Sequence, residues 1–562
     1  MRIHGKWLVT TAIVAVGFAL SQPPALLAQS GAALTGQVSS MEEGAMEGVL
    51  VTARKTGASF AVTVVSDEEG HYAFPAAKLA PGHYALTIRA VGYEPAGADA
   101  ADVSADKPAS ADIKLQKIKE TKKLASELSN GEWLMSVPGS EQQKMTLTNC
   151  VSCHTLERIV RSTHDANEFA NQLLPRMGGY ANQTVPIHPQ FRKAERLTVE
   201  RGDQRKHSEQ AMAEFLSRIN LSESDTWSYE LKTLPRPKGR ATHVVITEYD
   251  LPRSTAEPHD VIVDRNGNPW YSNFGELIFG RLDPKTGKAT EYPLPELKKG
   301  WPTGMLSLRA DKDDNLWLGM MYQGAIAKFD PKAEKFQTFS LPPDMNTDMS
   351  QLNMVRVESD AVDGKVWAQN AGFAVVHRLD LASGTIETID PFKKAGVGET
   401  HNIYDVIPDS QNNVYFTDIA ADYIGRIDAK TSEVKLYPMP TKPAGPRRGM
   451  MDAQNRVWFG EYRGNKIGMF DTKSERFQEW TMPTPWSGPY DVAVDKNGDA
   501  WTGSMMNDRV QRLDPKTGQV TEYLLPRETN MRRVFVDNST TPPTFWVGNN
   551  HRASIVKLEP LD

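Results

Sequence analysis

Between residues 31 and 116 apolar and polar positions alternate. Val49, Val51 and Ala53 interleave with Leu50, Thr52 and Arg54, and Tyr84, Leu86, Ile88 and Ala90 interleave with polar or small residues. A period of two puts one set of side chains on a core face and the other toward solvent, so half-buried β-strands are predicted. The runs are separated by turn chemistry, Asp67-Glu68-Glu69-Gly70 and Ala80-Pro81-Gly82-His83. After a charged connector at 117–123 the period lengthens. Phe169, Leu173, Leu174 and Met177 form one stripe, and Met212, Phe215, Leu216 and Ile219 form another. Helices are therefore expected over 165–177 and 208–219 within a helical segment at 125–222, with His164-Asp165 placed to cap the first. Residues 223–242, which end in LPRPKGRAT, read as a Pro-rich and basic linker.

From 243 to 562 the pattern repeats. Val261-x-Val263-Asp264, a turn and Trp270 lead to Leu282-Asp283-Pro284-Lys285-Thr286-Gly287 and then Thr290-Glu291-Tyr292. The same order returns as Val492-x-Val494-Asp495, Trp501, Leu513-Asp514-Pro515-Lys516-Thr517-Gly518 and Thr521-Glu522-Tyr523. Aromatic markers at Trp270, Trp317, Trp367, Tyr415, Trp458, Trp501 and Trp546 are 43 to 50 residues apart. That spacing predicts a seven-bladed β-propeller with four strands per blade. The last unit stops after its third strand, near Leu558. An unattached Thr247-Glu248-Tyr249-Asp250-Leu251-Pro252 precedes the first, so the N-terminal strand is expected to complete the seventh blade and remove its open edge.

The expected fold class is thus multidomain and mainly β: a β-sandwich at 31–116, a small helical domain at 125–222 and a propeller at 243–562. A length of 562 residues suits several cores. The formal net charge of −6 argues against a nucleic-acid partner. Residues 1–28 carry Arg2, His4 and Lys6, an apolar run from Trp7 to Leu20, and small Ala28. They read as a cleaved signal peptide, with an uncleaved anchor as the alternative, so the mature chain is expected in the periplasm or outside the cell. No later apolar run is long enough for a transmembrane helix.

The two cysteines of the chain lie in Asn149-Cys150-Val151-Ser152-Cys153-His154. Two thiols two residues apart, followed at once by His, is the c-type haem attachment pattern: each sulfur forms a thioether and the adjacent imidazole becomes the proximal iron ligand. A zinc site would need a second ligand pair, a thioredoxin-like pair would need a βαβ setting, and a short disulfide would leave His154 unexplained. Haem c is therefore the expected cofactor, held by Cys150, Cys153 and His154, with Met177 as sixth ligand and His188, in a Pro-flanked loop, as the alternative. A helix before the motif, one after it and a terminal helix resemble a small single-haem cytochrome c. That resemblance implies electron transfer with a donor or acceptor protein.

The pattern Ser66-Asp67-x-x-Gly70-x-Tyr72-x-Phe74, Leu79-x-Pro81-Gly82-x-Tyr84 and Gly92-Tyr93 resembles the carboxypeptidase regulatory-like sandwich, which implies a spacer or a glycan-binding module without catalytic residues. Ile424-Gly425-Arg426-Ile427-Asp428, Trp458-Phe459-Gly460-Glu461 and the Glu-Tyr-Pro endings resemble the virginiamycin B lyase family. The resemblance implies a His base and a magnesium ion held by carboxylates, opening a cyclic ester by elimination. On Glu257-Pro258-His259 it makes His259 the base, with Glu257 and Glu276 as the divalent site. Phe274 stands where the family has its second metal-binding Glu, and the motif lies in the first blade instead of the last. The loops expected at one end of the propeller carry His259, His401 and His551, Arg447, Arg448, Arg532 and Arg533, Tyr404 and Tyr490, and Asp418 and Glu461. They could form an acid–base site, a metal site, an anion clamp on the Arg pairs or a solvated rim. Three functions follow: an exported haem protein whose propeller binds a substrate or partner, a lyase, and a carbohydrate or cell-surface binding protein.

Overall fold

A computed structural model describes residues 31–97, 100–152, 154–174, 202–220, 229–301, 303–398 and 400–562. The expected signal peptide, Cys153, Met177 and His188 lie outside these residues. The architecture is mainly β and multidomain: an N-terminal sandwich, short helices and a C-terminal propeller-like region.

The sandwich forms because its alternating residues face one another. Leu34, Val38, Val51, Val62, Val64, Phe74, Leu86 and Ile113 meet in one core. One sheet is built on Ala32–Ser40, which pairs in parallel with Ile113–Lys117 and antiparallel with His71–Pro75. The other contains Phe60–Val65, Leu50–Lys55, Gly82–Arg89 and Ala100–Val103. Its outer face is not solvated as strict alternation predicts. Leu50 and Val65 are buried against Val244, Ile246 and Tyr523 of the propeller-like region.

The two regions share a sheet. Val244–Asp250 pairs antiparallel with Ser554–Pro560, from Val244 opposite Pro560 to Asp250 opposite Ser554. This is the expected closure of the last unit. Its other edge is also occupied: Val245 stands opposite Val64, and Tyr249 opposite Phe60. The result is one eight-stranded sheet that runs from Met531–Asp537 to Ala100–Val103. Val245 enters the sandwich core, while Val244 and Ile246 enter the propeller core. Arg89 ties the same junction, donating to Asp508 at 2.6 Å and to the Leu525 carbonyl at 2.7 Å.

Six four-stranded antiparallel sheets precede that shared one, each in sequential strand order. Their innermost strands, Pro258–Val263, Leu308–Ala310, Leu352–Arg356, Ile403–Pro408, Pro446–Met451 and Pro489–Val494, pack one on the next. Met531–Asp537 then packs back on Pro258–Val263, which closes a ring. Two repeat devices explain the local fold. In four units an Asp six residues before the marker Trp accepts the indole N–H: Asp264–Trp270 at 2.9 Å, Asp311–Trp317 at 3.0 Å, Asp452–Trp458 at 2.8 Å and Asp495–Trp501 at 2.9 Å. Its other oxygen caps turn amides two and four residues on, as Asp495 does for Asn497 and Asp499. The second device is Gly280, Gly425 and Gly468. An aromatic ring from the preceding strand lies across each of them, so that a Cβ would fall 2.3, 2.0 and 2.3 Å from Tyr271, Phe416 and Phe459.

The described part of the helical segment packs on the propeller-like region. Its helices are short: Thr121–Ala125, Asn130–Ser136, Glu141–Leu147, Glu157–Val160, Ala166–Glu168 and, longer, Gly202–Ile219. Ser129 with Glu132, Ser140 with Gln143 and Asp165 with Glu168 form capping boxes. The helix expected over 165–177 passes into a π-helical turn at Phe169–Leu173. Trp133, Leu134, Leu147, Phe215, Leu216 and Ile219 are buried together with Tyr462, Tyr490, Met505 and Met506 of the propeller-like region. Among the described residues the helices thus share one core with the propeller-like region.

A capped candidate site on the ring axis

Five innermost strands carry a polar residue at the same place. The second residues of Pro258–Val263, Ile403–Pro408, Pro446–Met451, Pro489–Val494 and Met531–Asp537 are His259, Tyr404, Arg447, Tyr490 and Arg532. The third residues are Asp260, Asp405, Arg448, Asp491 and Arg533. Consecutive residues of a regular strand point to opposite faces. Here a register shift at the start of each of these strands bends the pleat and brings both residues inward.

The deeper layer is a network of charges that balance. Asp260 accepts from Arg448 at 2.7 Å and from Arg309 at 3.2 Å. Asp405 pairs with Arg356, Asp491 lies 3.2 Å from Arg533, and Glu358 joins Arg309 and Arg356 at 3.2 and 3.0 Å. Although burial opposes ionisation, the Arg448 charge holds the Asp260 carboxyl far below its usual range.

His259 is fully buried above this layer. Its Nδ1 lies 2.9 Å from Asp260, which accepts a hydrogen bond from Nδ1–H and leaves Nε2 as the acceptor, 3.5 Å from the Tyr490 hydroxyl. Tyr490 in turn bonds the Tyr404 hydroxyl. Burial, reinforced by Arg448 and Arg532, lowers the imidazole to about 3, so it is neutral. Arg447 sits among three aromatic faces, 3.8 Å from the Tyr462 ring centre, 4.7 Å from that of Tyr490 and 5.1 Å from that of Tyr404.

The segment Cys150–Ser152 lies directly on this cluster. Tyr462 donates to the Thr148 carbonyl at 3.1 Å, Asn530 to Val151 at 3.0 Å and Arg532 to Ser152 at 2.9 Å. His154 Nδ1 lies 2.8 Å from the Thr155 carbonyl. A carbonyl accepting from Nδ1–H sets the tautomer that offers Nε2 to a metal, the donor arrangement a proximal haem ligand requires. Burial lowers the His154 pKa and favours that neutral form. His551, close by, is pushed down to about 3 by burial and the Arg532 charge.

Other residues expected here are placed differently. Glu276 is held by Arg253 at 2.6 Å, Asn273 at 2.7 Å and Thr255 at 2.9 Å. Glu257 is buried and shares Asn273 through its backbone N–H. The expected divalent site of Glu257 and Glu276 is therefore not assembled, because Arg253 already neutralises Glu276. Among the described residues no group of three or more His, Cys, Asp or Glu side chains could hold a metal ion. The guanidinium groups beside His259 also disfavour a divalent cation, so magnesium does not fit. His401 and Asp418 pair with each other at 2.6 Å, and the His401 ring stacks on Phe392. Glu461 is fully buried with neither carboxylate oxygen hydrogen-bonded, and burial beside Glu479 raises it to about 8. Sequence reasoning missed Tyr462 and Asp260. The signal was adjacency: each directly follows a residue already singled out.

Comparison with known proteins agrees with the two β regions. Residues 299–531 match the virginiamycin B lyase family, and residues 33–116 match the carboxypeptidase regulatory-like domain. No curated protein matches the chain. Similar solved structures include selenomethionine-substituted virginiamycin B lyase from Staphylococcus aureus, 21% identical over 56% of this chain and 99% of that one, with a TM-score of 0.48. A streptogramin B lyase structure is 22% identical over 57% of this chain and 99% of that one, with a TM-score of 0.49. The extracellular domain of a putative one-component system from B. thetaiotaomicron is 13% identical over 55% of this chain and 39% of that one, with a TM-score of 0.41. The similarity thus falls on the sandwich and on the propeller-like region, while the helical segment between them lies outside both family matches.

Proposed function

We propose that this chain is an exported c-type haem protein in electron transfer, in which a cytochrome c-like segment at 125–222 caps a seven-bladed propeller and the propeller mouth receives a substrate or partner group. The observation that carries the reading is the seating of Thr148, Val151 and Ser152 on Tyr462, Asn530 and Arg532, together with the orientation of His154 by Thr155. Cys150 and Cys153 would hold the haem by thioethers, His154 would be its proximal ligand, and Met177 or alternatively His188 its sixth. The haem would supply one-electron transfer. The chain's own residues fix the imidazole tautomer, anchor the half-buried attachment segment and set a cationic floor beneath it. Residues 1–28 would direct the chain to the periplasm or the exterior, where an electron donor or acceptor protein would meet it. Among the described residues no helix is long and apolar enough to cross a membrane.

The test is a reduced-minus-oxidised visible spectrum of the full chain made with haem-attachment machinery, beside Cys150→Ser/Cys153→Ser. A c-type spectrum lost in the double variant supports the reading. Absence of covalent haem refutes it. A second reading, a lyase acting on a cyclic ester, is favoured by one observation: Asp260 orients a neutral His259, as a general base requires. Loss of cyclic-ester opening in His259→Ala would support it, and a wild-type chain without such turnover would exclude it. As a carbohydrate or cell-surface binder, the chain would keep its ligand in that variant.

A further inference from the structure

The charges along the ring axis do not all cancel. Four carboxylates, Asp260, Glu358, Asp405 and Asp491, are committed to Arg448, Arg309, Arg356 and Arg533. Arg447 is 9% exposed, and no carboxylate of the described residues pairs with it. Its Nε is buried without a hydrogen-bond partner, and one terminal N–H meets only the Met505 sulfur, at 3.6 Å. Beside it, Arg532 donates to the neutral oxygens of Asn530 and Ser152.

An isolated buried cation is expensive, and native proteins pair such charges or keep them for a ligand. Three tyrosine faces offset part of the cost. The rings supply no oxygen acceptor for the Nε–H, so the Nε edge of the guanidinium stays unsatisfied. That edge is a planar fork of parallel donors, and its geometric complement is a carboxylate. A cleft between the Glu141–Leu147 helix and the propeller, lined by Met145, Thr148, Tyr462, Trp486 and Met506, adjoins this cage: the Tyr462 ring, 3.8 Å from Arg447, forms part of its wall.

We propose that Arg447, caged by Tyr404, Tyr462 and Tyr490 beneath the Cys150–Ser152 segment, is a carboxylate-binding site. The carboxylate comes either from a diffusible organic acid or from a propionate of the attached haem. The second source alone rests on the haem reading given above.

The test titrates the full-length protein with sodium acetate by calorimetry at constant ionic strength, with phosphate as comparator, in wild type, Arg447→Gln and Arg447→Lys. For a diffusible acid, wild type saturates with acetate, Arg447→Gln binds at least tenfold more weakly, and Arg447→Lys falls between because it keeps charge but loses the fork. If Arg447→Gln does not fold, a weakening of threefold or more in Arg447→Lys carries the same conclusion. For a haem propionate, acetate does not bind to wild type, and the haem of Arg447→Gln has a lower reduction potential than wild type because a compensating cation is gone. No saturable acetate binding and an unchanged potential overturn the proposal and leave Arg447 a structural member of the tyrosine cage. A chain that carries no haem fails the earlier reading without deciding this one, since acetate binding is then the sole and sufficient readout.

Discussion

Glu461 gives a quantitative prediction. Its carboxyl is buried, neither oxygen has a hydrogen-bond partner, and burial beside Glu479 raises its pKa from 4.5 to about 8. In the unfolded chain the group ionises near 4.5, whereas in the folded protein it keeps its proton until about 8. Across that window the native state binds more protons than the unfolded state, so stability falls as pH rises and levels off above the folded value. Integrating the linkage between about pH 5 and pH 8 gives a loss of about 3 kcal/mol, and one unit in the folded pKa alters this by roughly 1 kcal/mol. Glu461→Gln removes the titration and retains the shape. Its unsatisfied amide costs the same at every pH, so the quantity to compare is the change across the window. Urea unfolding of wild type and Glu461→Gln at about pH 5 and pH 8 should show the variant gaining about 3 kcal/mol on wild type at the higher pH. A difference between the two proteins that stays within about 0.5 kcal/mol across that range would refute the argument.

Three further outcomes are expected. Arg89→Ala leaves the Asp508 carboxylate, 1% exposed, without its cation and should cost on the order of 3 kcal/mol, seen as a lower urea midpoint, with Asp508→Asn/Arg89→Ala less affected than Arg89→Ala alone. Gly425→Ala places a methyl 2.0 Å from the Phe416 ring, and displacing that ring should cost about 1–3 kcal/mol and lower the melting temperature. Asp495→Ala strips the Trp501 indole and the Asn497 and Asp499 amides of their acceptor; a loss of roughly 2–3 kcal/mol should be measurable in urea.

Much of the fold was legible because its signals are local and repeated. The marker Trp, the Asp six residues earlier and the Asp-Pro-Lys-Thr-Gly turn recur, and each has a hydrogen bond or a backbone preference behind it. The closure by Val244–Asp250 was legible because its Thr-Glu-Tyr-x-Leu-Pro ending lacked a unit of its own. The pairing of that strand with Phe60–Val65 was not read, since partners about 180 residues apart leave no common period. A weaker sign was present: Phe60-Ala61-Val62-Thr63-Val64-Val65 is apolar almost throughout, as strands buried on both faces are. The site was half legible. The rim residues His259, Tyr404, Arg447, Arg448, Tyr490 and Arg532 do converge. That Glu276 serves Arg253, and that helices cover the mouth, depend on tertiary contacts that spacing does not encode.

The doubly paired strand Val244–Asp250 bears on how the chain can be made. Synthesis proceeds from the N-terminus, so Phe60–Val65 exists long before Val244–Asp250 emerges, whereas Ser554–Pro560 follows about 300 residues later. Until Ser554–Pro560 is made the ring cannot shut, and a lone strand at its seam would offer two adhesive edges to neighbouring chains. The finished sandwich can occupy one of them at once. It thereby acts as a template bound within the same molecule, holding the seam in register until Ser554–Pro560 arrives.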